Sequence, residues 1–260
     1  MRTLVLAVKN WSIKGCVSIS FLTCLFSCAS GITSIAVGDQ EVFQLKKAFT
    51  NVFLIKGQNN SLLVDTGLPG HRRGILKLFK KSRTDPKSLD FVILTHGHPD
   101  HGGNAHYLQQ EFNAKILVGR GDEILLENGG RDDSLCHYGI MGWTVANTVA
   151  KRRYTPLTAD IVLDSIESLK PYGFDGYIQR IPGHTKGSLY LKIEEVLIVG
   201  DIIRGKLLNQ DQPKAHFIMC DRDQNLKQIA ALAALDSVGL WLPSHGDPLP
   251  IAAIEKFITP

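Results

Sequence analysis

Two periods organise the apolar and polar positions along the chain. Short runs rich in Val, Ile, Leu and Phe, closed by Gly, Pro, Asn or Asp, read as strands at 41–45, 51–56, 61–64, 115–118, 161–163, 176–181, 189–193 and 196–199. The helical period covers 71–81, 104–111, 122–127 and 221–235, and Asp221 heads the last of these, where a carboxylate can cap free amides. Residues 128–156 have little period and carry Gly129, Gly130, Gly139 and Gly142 beside Tyr138, Trp143 and Tyr154. That segment reads as a long loop of the kind that forms lids and binding surfaces. Strands interleaved with helices predict a layered α/β domain. No repeat, low-complexity tract or Pro/Gly/Ser linker divides the chain after Asp39, so 41–260 reads as one domain and 29–40 as a short linker before it.

Several of these runs end alike. Phe91-Val92-Ile93-Leu94 leads into Thr95-His96-Gly97-His98-Pro99-Asp100-His101-Gly102-Gly103; a run ending at Ile181 leads into Pro182-Gly183-His184; Val196–Val199 leads into Gly200-Asp201; and Leu240-Trp241-Leu242 leads into Pro243-Ser244-His245. Five His and two Asp therefore stand just past strand ends, where neighbouring strands of one sheet would bring them together. A lone His or Asp in such a turn is an ordinary polar contact. Three imidazoles and a carboxylate within six residues are not, because unpaired imidazoles that close are costly to bury, whereas neutral imidazole and carboxylate are the ligands that zinc-like ions select. Gly102 and Gly103 would let backbone approach closely at the start of the following helix, or serve as a plain flexible turn.

His96-Gly97-His98-Pro99-Asp100-His101 resembles the signature of the metallo-β-lactamase-fold hydrolases. Ser61-Leu62-Leu63-Val64-Asp65-Thr66-Gly67, Gly183–Ser188, Gly200-Asp201 and Ser244-His245-Gly246 follow that family's motif order, from about Asn51 to the end of the chain. The resemblance implies a single-domain, four-layer αββα sandwich with metals at one edge of the two sheets. It implies a binuclear site in which His96, His98 and His184 hold one metal, Asp100, His101 and His245 the second, and Asp201 bridges both, with Asp65 supporting the metal loop from behind. Two Zn2+ are the implied cofactors, with Fe or Mn as alternatives. The implied reaction is hydrolysis by a metal-bridging hydroxide, with Asp100 orienting it or accepting its proton.

Departures from known branches narrow the substrate. True metallo-β-lactamases usually lack a bridging Asp at the Asp201 position, glyoxalase II adds a C-terminal helical region, and acyl-homoserine-lactone lactonases carry Tyr where Arg204 stands. A small-molecule ester, thioester, lactone or amide remains, and nucleic acid is not expected as a partner. The other classes are a mononuclear iron oxidoreductase of the persulfide-dioxygenase type and a non-catalytic metal-binding module. Asp100 argues against the latter, since a purely structural site would not need it beside so many His.

Of 29 basic and 25 acidic residues, Arg2, Lys9 and Lys14 precede an apolar stretch at 17–28, and no acidic residue precedes Asp39. This layout predicts a secretory signal, and Leu25-Phe26-Ser27-Cys28 resembles a lipoprotein cleavage box that would leave Cys28 lipidated. A simple cleaved signal and an uncleaved anchor stand beside that reading. The protein is expected to be exported, periplasmic or membrane-anchored through 1–28. Without that segment 26 basic residues face 25 acidic ones, so the basicity belongs partly to targeting. Cys136 and Cys220 are the two Cys outside it; an exported protein could join them, but spacing alone does not show a bond, and two isolated thiols are the slightly favoured expectation. His216, His137, Tyr138 and Arg204 are further residues that could face substrate; for His216 a packed or surface position is the commoner outcome, and Arg204 could equally be a surface charge.

Overall fold

The computed structural model of the protein describes residues 31–259; the signal and Cys28 fall outside them. Its first sheet takes seven strands in chain order, β1 (Gly31–Val37), β2 (Gln40–Lys47), β3 (Thr50–Lys56), β4 (Ser61–Val64), β5 (Leu89–Ile93), β6 (Lys115–Gly119) and β7 (Ile161–Leu163). Pairing is antiparallel as far as β4 and parallel from β4 to β7. The second sheet is built from β8 (Ile166–Ser168), β9 (Gly176–Arg180), β10 (Leu189–Ile193), β11 (Val196–Gly200), β14 (Leu240–Pro243) and β15 (Leu249–Pro250), with β11 and β14 parallel. A separate ribbon pairs β12 (Ile203–Gly205) with β13 (Pro213–Ala215).

Side-chain alternation puts a core on each side of both sheets. Phe53, Ile55, Leu62, Val64 and Ile93 face Leu189, Leu191, Ile198 and Leu242 between the sheets. Leu54, Leu63 and Val92 point the other way, onto Ile75 and Leu78 of α1 (Arg72–Ser82) and Leu108 of α3 (Ala105–Phe112). Beyond the second sheet, Leu197, Val199 and Trp241 pack on Ile229 of α6 (Arg222–Ala233) and Ile254 of α7 (Ile251–Ile258). Helices, sheet, sheet, helices make the expected four-layer sandwich. Strands buried on both faces explain why 91–93 of β5 and the whole of β11 read as unbroken apolar runs rather than alternating ones.

Three expectations need correction. Residues 31–37 are not linker: β1 pairs with β2 from Gly31↔Lys46 to Val37↔Gln40. The long loop contains a helix, α5 (Gly139–Asn147), between α4 (Glu123–Glu127) and β7. Its sequence lacks charge and an apolar stripe, so periodicity could not show it. Cys136 and Cys220 are joined in a disulfide, tying the start of α5 to the segment after β13.

Candidate metal centre

Strand ends supply the site. Asp65 follows β4 with φ of 62°, in the left-handed region that a non-glycine residue adopts only when its surroundings hold it there. Its buried carboxylate supplies that hold. Oδ1 accepts from the Thr95 amide at 2.8 Å, and Oδ2 accepts from the Ser244 hydroxyl at 3.0 Å and meets His101 Nδ1 at 2.8 Å. One side chain thus links the turns after β4, β5 and β14. The two glycines that follow His101, in and just after the single turn α2 (Pro99–Gly102), are close approaches rather than flexible hinges. A Cβ on Gly103 would lie 2.4 Å from the Gly67 carbonyl oxygen, and one on Gly102 would lie 2.8 Å from the Tyr154 ring.

The seven side chains that the motifs single out gather in one place, in two groups around Asp201. His184 Nε2 stands 3.2 Å from His96 Nε2 and 3.1 Å from His98 Nδ1. Around the second group, His245 Nε2 lies 3.5 Å from Asp100 Oδ2, and His101 Nε2 lies 3.7 Å from Asp100 Oδ1. Asp201 reaches both groups: Oδ2 is 3.5 Å from His184 Nε2 and 3.7 Å from His101 Nε2, while Oδ1 is 3.2 Å from His245 Nε2. Two ligands of a tetrahedral zinc, each about 2.0–2.1 Å from the ion, stand about 3.3 Å apart, close to the spacing that His184 keeps to His96 and to His98. His101 Nε2 is buried with no hydrogen-bond partner, as an atom awaiting an ion would be. His96, His98 and His184 can hold one ion, and Asp100, His101 and His245 another.

With this geometry, the comparison with known families becomes decisive, since the pattern of the metallo-beta-lactamase superfamily matches residues 45–228. The chain belongs to that superfamily. It is 29% identical over 200 residues to a probable metallo-hydrolase of Methanocaldococcus jannaschii, covering 76% of this chain and 88% of the relative. A metallo-beta-lactamase fold-containing protein of Sulfurisphaera tokodaii is 26% identical over 178 residues, covering 66% of this chain and 62% of that protein. Among solved structures, a beta-lactamase from Chitinophaga pinensis superposes with a TM-score of 0.61 at 22% identity, over 92% of this chain and 83% of that one. A class B3 di-zinc metallo-beta-lactamase from an Alaskan soil metagenome gives 0.59 at 21% identity, over 89% and 83%. At these identities the structural likeness establishes the shared fold.

Electrostatics agree with a cation-binding superfamily site. Burial, reinforced by the imidazoles around it, drives the His96 pKa well below its ordinary value, and burial pushes His184 down to about 3. Burial would do the same to His101, yet Asp65, Asp201 and Asp100 outweigh it and raise that pKa well above the ordinary range. Burial would raise Asp201, but His245, His216 and His101 hold it well below the usual carboxylate range. Three carboxylates converge here, and their negative charge outweighs burial to raise the pKa of both His101 and His245.

Other members of this superfamily site were not singled out by sequence, or were placed elsewhere. His216, expected to be packed or exposed, is buried at the end of β13 with Nε2 3.3 Å from Asp201 Oδ2, and it forms a third group with His184 and Asp201. Asp122 accepts from the Gly97 amide at 2.9 Å, the Gly187 amide at 2.8 Å and the Thr185 hydroxyl at 2.7 Å, fastening the two His loops to each other. Asp132 lies 3.1 Å from His98 Nε2. Arg204 is no surface charge: it is buried with its guanidinium 4.7 Å over the Phe217 ring and its Nε unpartnered. His137 and Tyr138 are exposed, and neither lines the cavity at the site. No spacing rule links Asp122, Asp132 or His216 to the motifs; only the loop paths bring them in.

Proposed function

We propose that this protein is a binuclear metal-dependent hydrolase of small molecules, acting on an ester, thioester, lactone or amide bond. The observation that carries the reading is the pair of ligand groups, His96/His98/His184 and Asp100/His101/His245, meeting at Asp201 beside an open cavity of about 590 Å³. Two divalent cations, zinc above all, would lower the pKa of a shared water toward about 7 and polarise the carbonyl under attack. The chain's own residues do the rest. Among the described residues, Asp100 and Asp201 are the only acidic groups lining the cavity. Asp100, at the edge of the ligand cluster, is the carboxylate positioned to take a proton from the attacking water.

The cavity lining supports a narrower reading of the substrate. Leu68, Met141, Val145, Val149 and Phe217 give it an apolar wall, and the cationic residues Arg152 and Arg204 also line it. Guanidinium groups on the lining favour a substrate that carries an anion. The reading is therefore an apolar acyl or ring compound carrying a carboxylate or similar group.

Metal quantitation on purified protein, paired with hydrolysis assays on lactones, thioesters, phosphodiesters and cephalosporins, tests this. Two equivalents of metal are expected, with turnover abolished in Asp100→Asn and His101→Ala while folding persists. Hydrolysis retained in both variants would remove the second metal from the mechanism, and iron with oxygen consumption would replace the hydrolase reading altogether.

A further inference from the structure

Both nitrogens of a metal-binding imidazole are engaged when the ring is well oriented, and for two ligands of one group the outward partner comes from an unexpected source. His98 turns Nδ1 toward His184 and presents Nε2 to Asp132 Oδ2 at 3.1 Å. His184 turns Nε2 inward and donates Nδ1–H to the Ile218 carbonyl at 2.7 Å. Asp132 stands four residues before Cys136, and Ile218 two residues before Cys220, and these two cysteines are bonded to each other. The disulfide therefore joins the two segments that orient two of the three imidazoles in the His96/His98/His184 group.

Local structure makes that join necessary. Between α4 and α5, residues 128–138 form no helix or strand beyond one bridge, His137 to Ile218. Around the crosslink, the Tyr138 amide donates to the Phe217 carbonyl at 2.7 Å and the Met219 amide to the Cys136 carbonyl at 3.2 Å. Asp132 is set within its turn by accepting from the Ser134 amide and hydroxyl at 2.8 and 2.7 Å through Oδ1, which leaves Oδ2 for His98. The outward nitrogens of the second group are braced by other elements: His101 by Asp65, and His245 Nδ1–H by the Phe49 carbonyl at 2.7 Å, although the His216 ring also stacks on His245 at 5.6 Å. Asp65 and Phe49 both lie outside the crosslinked segments, one after β4 and the other before β3.

From this asymmetry we infer that Asp132 is a positioning residue for His98, and that the Cys136–Cys220 bond selectively maintains the His96/His98/His184 metal position. The inference rests on the metal-binding reading above. Outer hydrogen-bond partners of metal-bound His are worth about 10–100-fold in affinity, so loss of the clamp has a measurable size.

The experiment is a Zn2+ titration of the metal-free full chain against a chromophoric chelator, resolving the two equivalents. Wild type is compared with Asp132→Ala, Asp132→Asn and the Cys136→Ser/Cys220→Ser double variant, each checked for native circular dichroism. Asp132→Ala and the double variant should bind one equivalent about 10–100-fold more weakly and the other as wild type does. Asp132→Asn, which keeps an acceptor oxygen, should fall between. If the double variant does not fold, the two Asp132 variants decide. Unchanged affinity for both equivalents in folded Asp132→Ala overturns the inference, as does equal weakening of both. A wild type that binds no zinc would instead defeat the metal-site reading itself, so the two failures are distinguishable.

Discussion

His101 presents Nδ1 to Asp65 at 2.8 Å and leaves Nε2 buried without a hydrogen-bond partner. Because the same carboxylate also receives the Thr95 amide and the Ser244 hydroxyl, it fixes both the direction of the ring and the meeting of three loops. Asp65→Asn replaces one acceptor oxygen by a donor that faces groups already donating. We expect a loss of about 1–3 kcal/mol in urea unfolding and a fall of about 10–100-fold in affinity for one metal equivalent. Native values for both would show that Asp65 is only a packing residue.

Gly103 and Gly239 should respond oppositely to the same substitution. A Cβ on Gly103 meets the Gly67 carbonyl oxygen and the Pro69 nitrogen at 2.4 Å each, atoms of backbone that cannot swing aside, whereas one on Gly239 meets nothing within 4 Å. Gly103→Ala should cost about 1–3 kcal/mol or more. Gly239→Ala should lie within about 0.5 kcal/mol of wild type. Denaturant midpoints for the two variants check the contrast.

His71, buried ahead of α1 with Nδ1 unpartnered, gives a pH dependence. Burial, then the nearby charge of Lys47, lowers its pKa from 6.5 to about 4. Between those values the unfolded chain binds a proton that the folded one refuses, so stability falls as the pH drops from about 6.5 toward 4, by at most about 1.4 kcal/mol per pH unit. His71→Gln should flatten that slope relative to wild type in chemical denaturation at pH 6.5, 5.5 and 4.5. Parallel curves for the two proteins would show that His71 titrates alike in both states.

Asn51 bridges the sheets at the His245 turn. Its Nδ2 donates to the Pro243 carbonyl at 2.9 Å and the Gly246 carbonyl at 2.8 Å, on either side of Ser244 and His245. Asn51→Ala should cost about 1–3 kcal/mol through two stranded acceptors. It should also loosen the His245 position, seen as weaker binding of one metal equivalent. A stability change without any change in metal affinity would show the bridge to be structural alone.

Strand ends were legible in the chain because β5, β11 and β14 are buried on both faces and stop abruptly at Thr95, Gly200 and Ser244. The seven ligand-type residues were legible for the same reason. β1 was not, because an edge strand with only Val37 fully buried carries little apolar signal. Nor was α5, whose apolar residues surround the helix, with Ile140 and Trp143 exposed and Met141 and Val145 lining the cavity. Its place is set by a disulfide and a backbone bridge, interactions without a sequence period. The proximity of His216 and Asp132 to the ligands has the same origin.

Ligand-type residues come from both halves of the chain, five up to His101 including Asp65, and His184, Asp201, His216 and His245 after β8. Only Asp164 and Ser165 connect β7 to β8. Opening the backbone there would leave two halves, each a sheet with its own helices and each carrying part of a coordination shell, still tethered by the Cys136–Cys220 bond. Once that bond is reduced, reassembly of the halves would depend on divalent ions as well as on the apolar seam between the sheets.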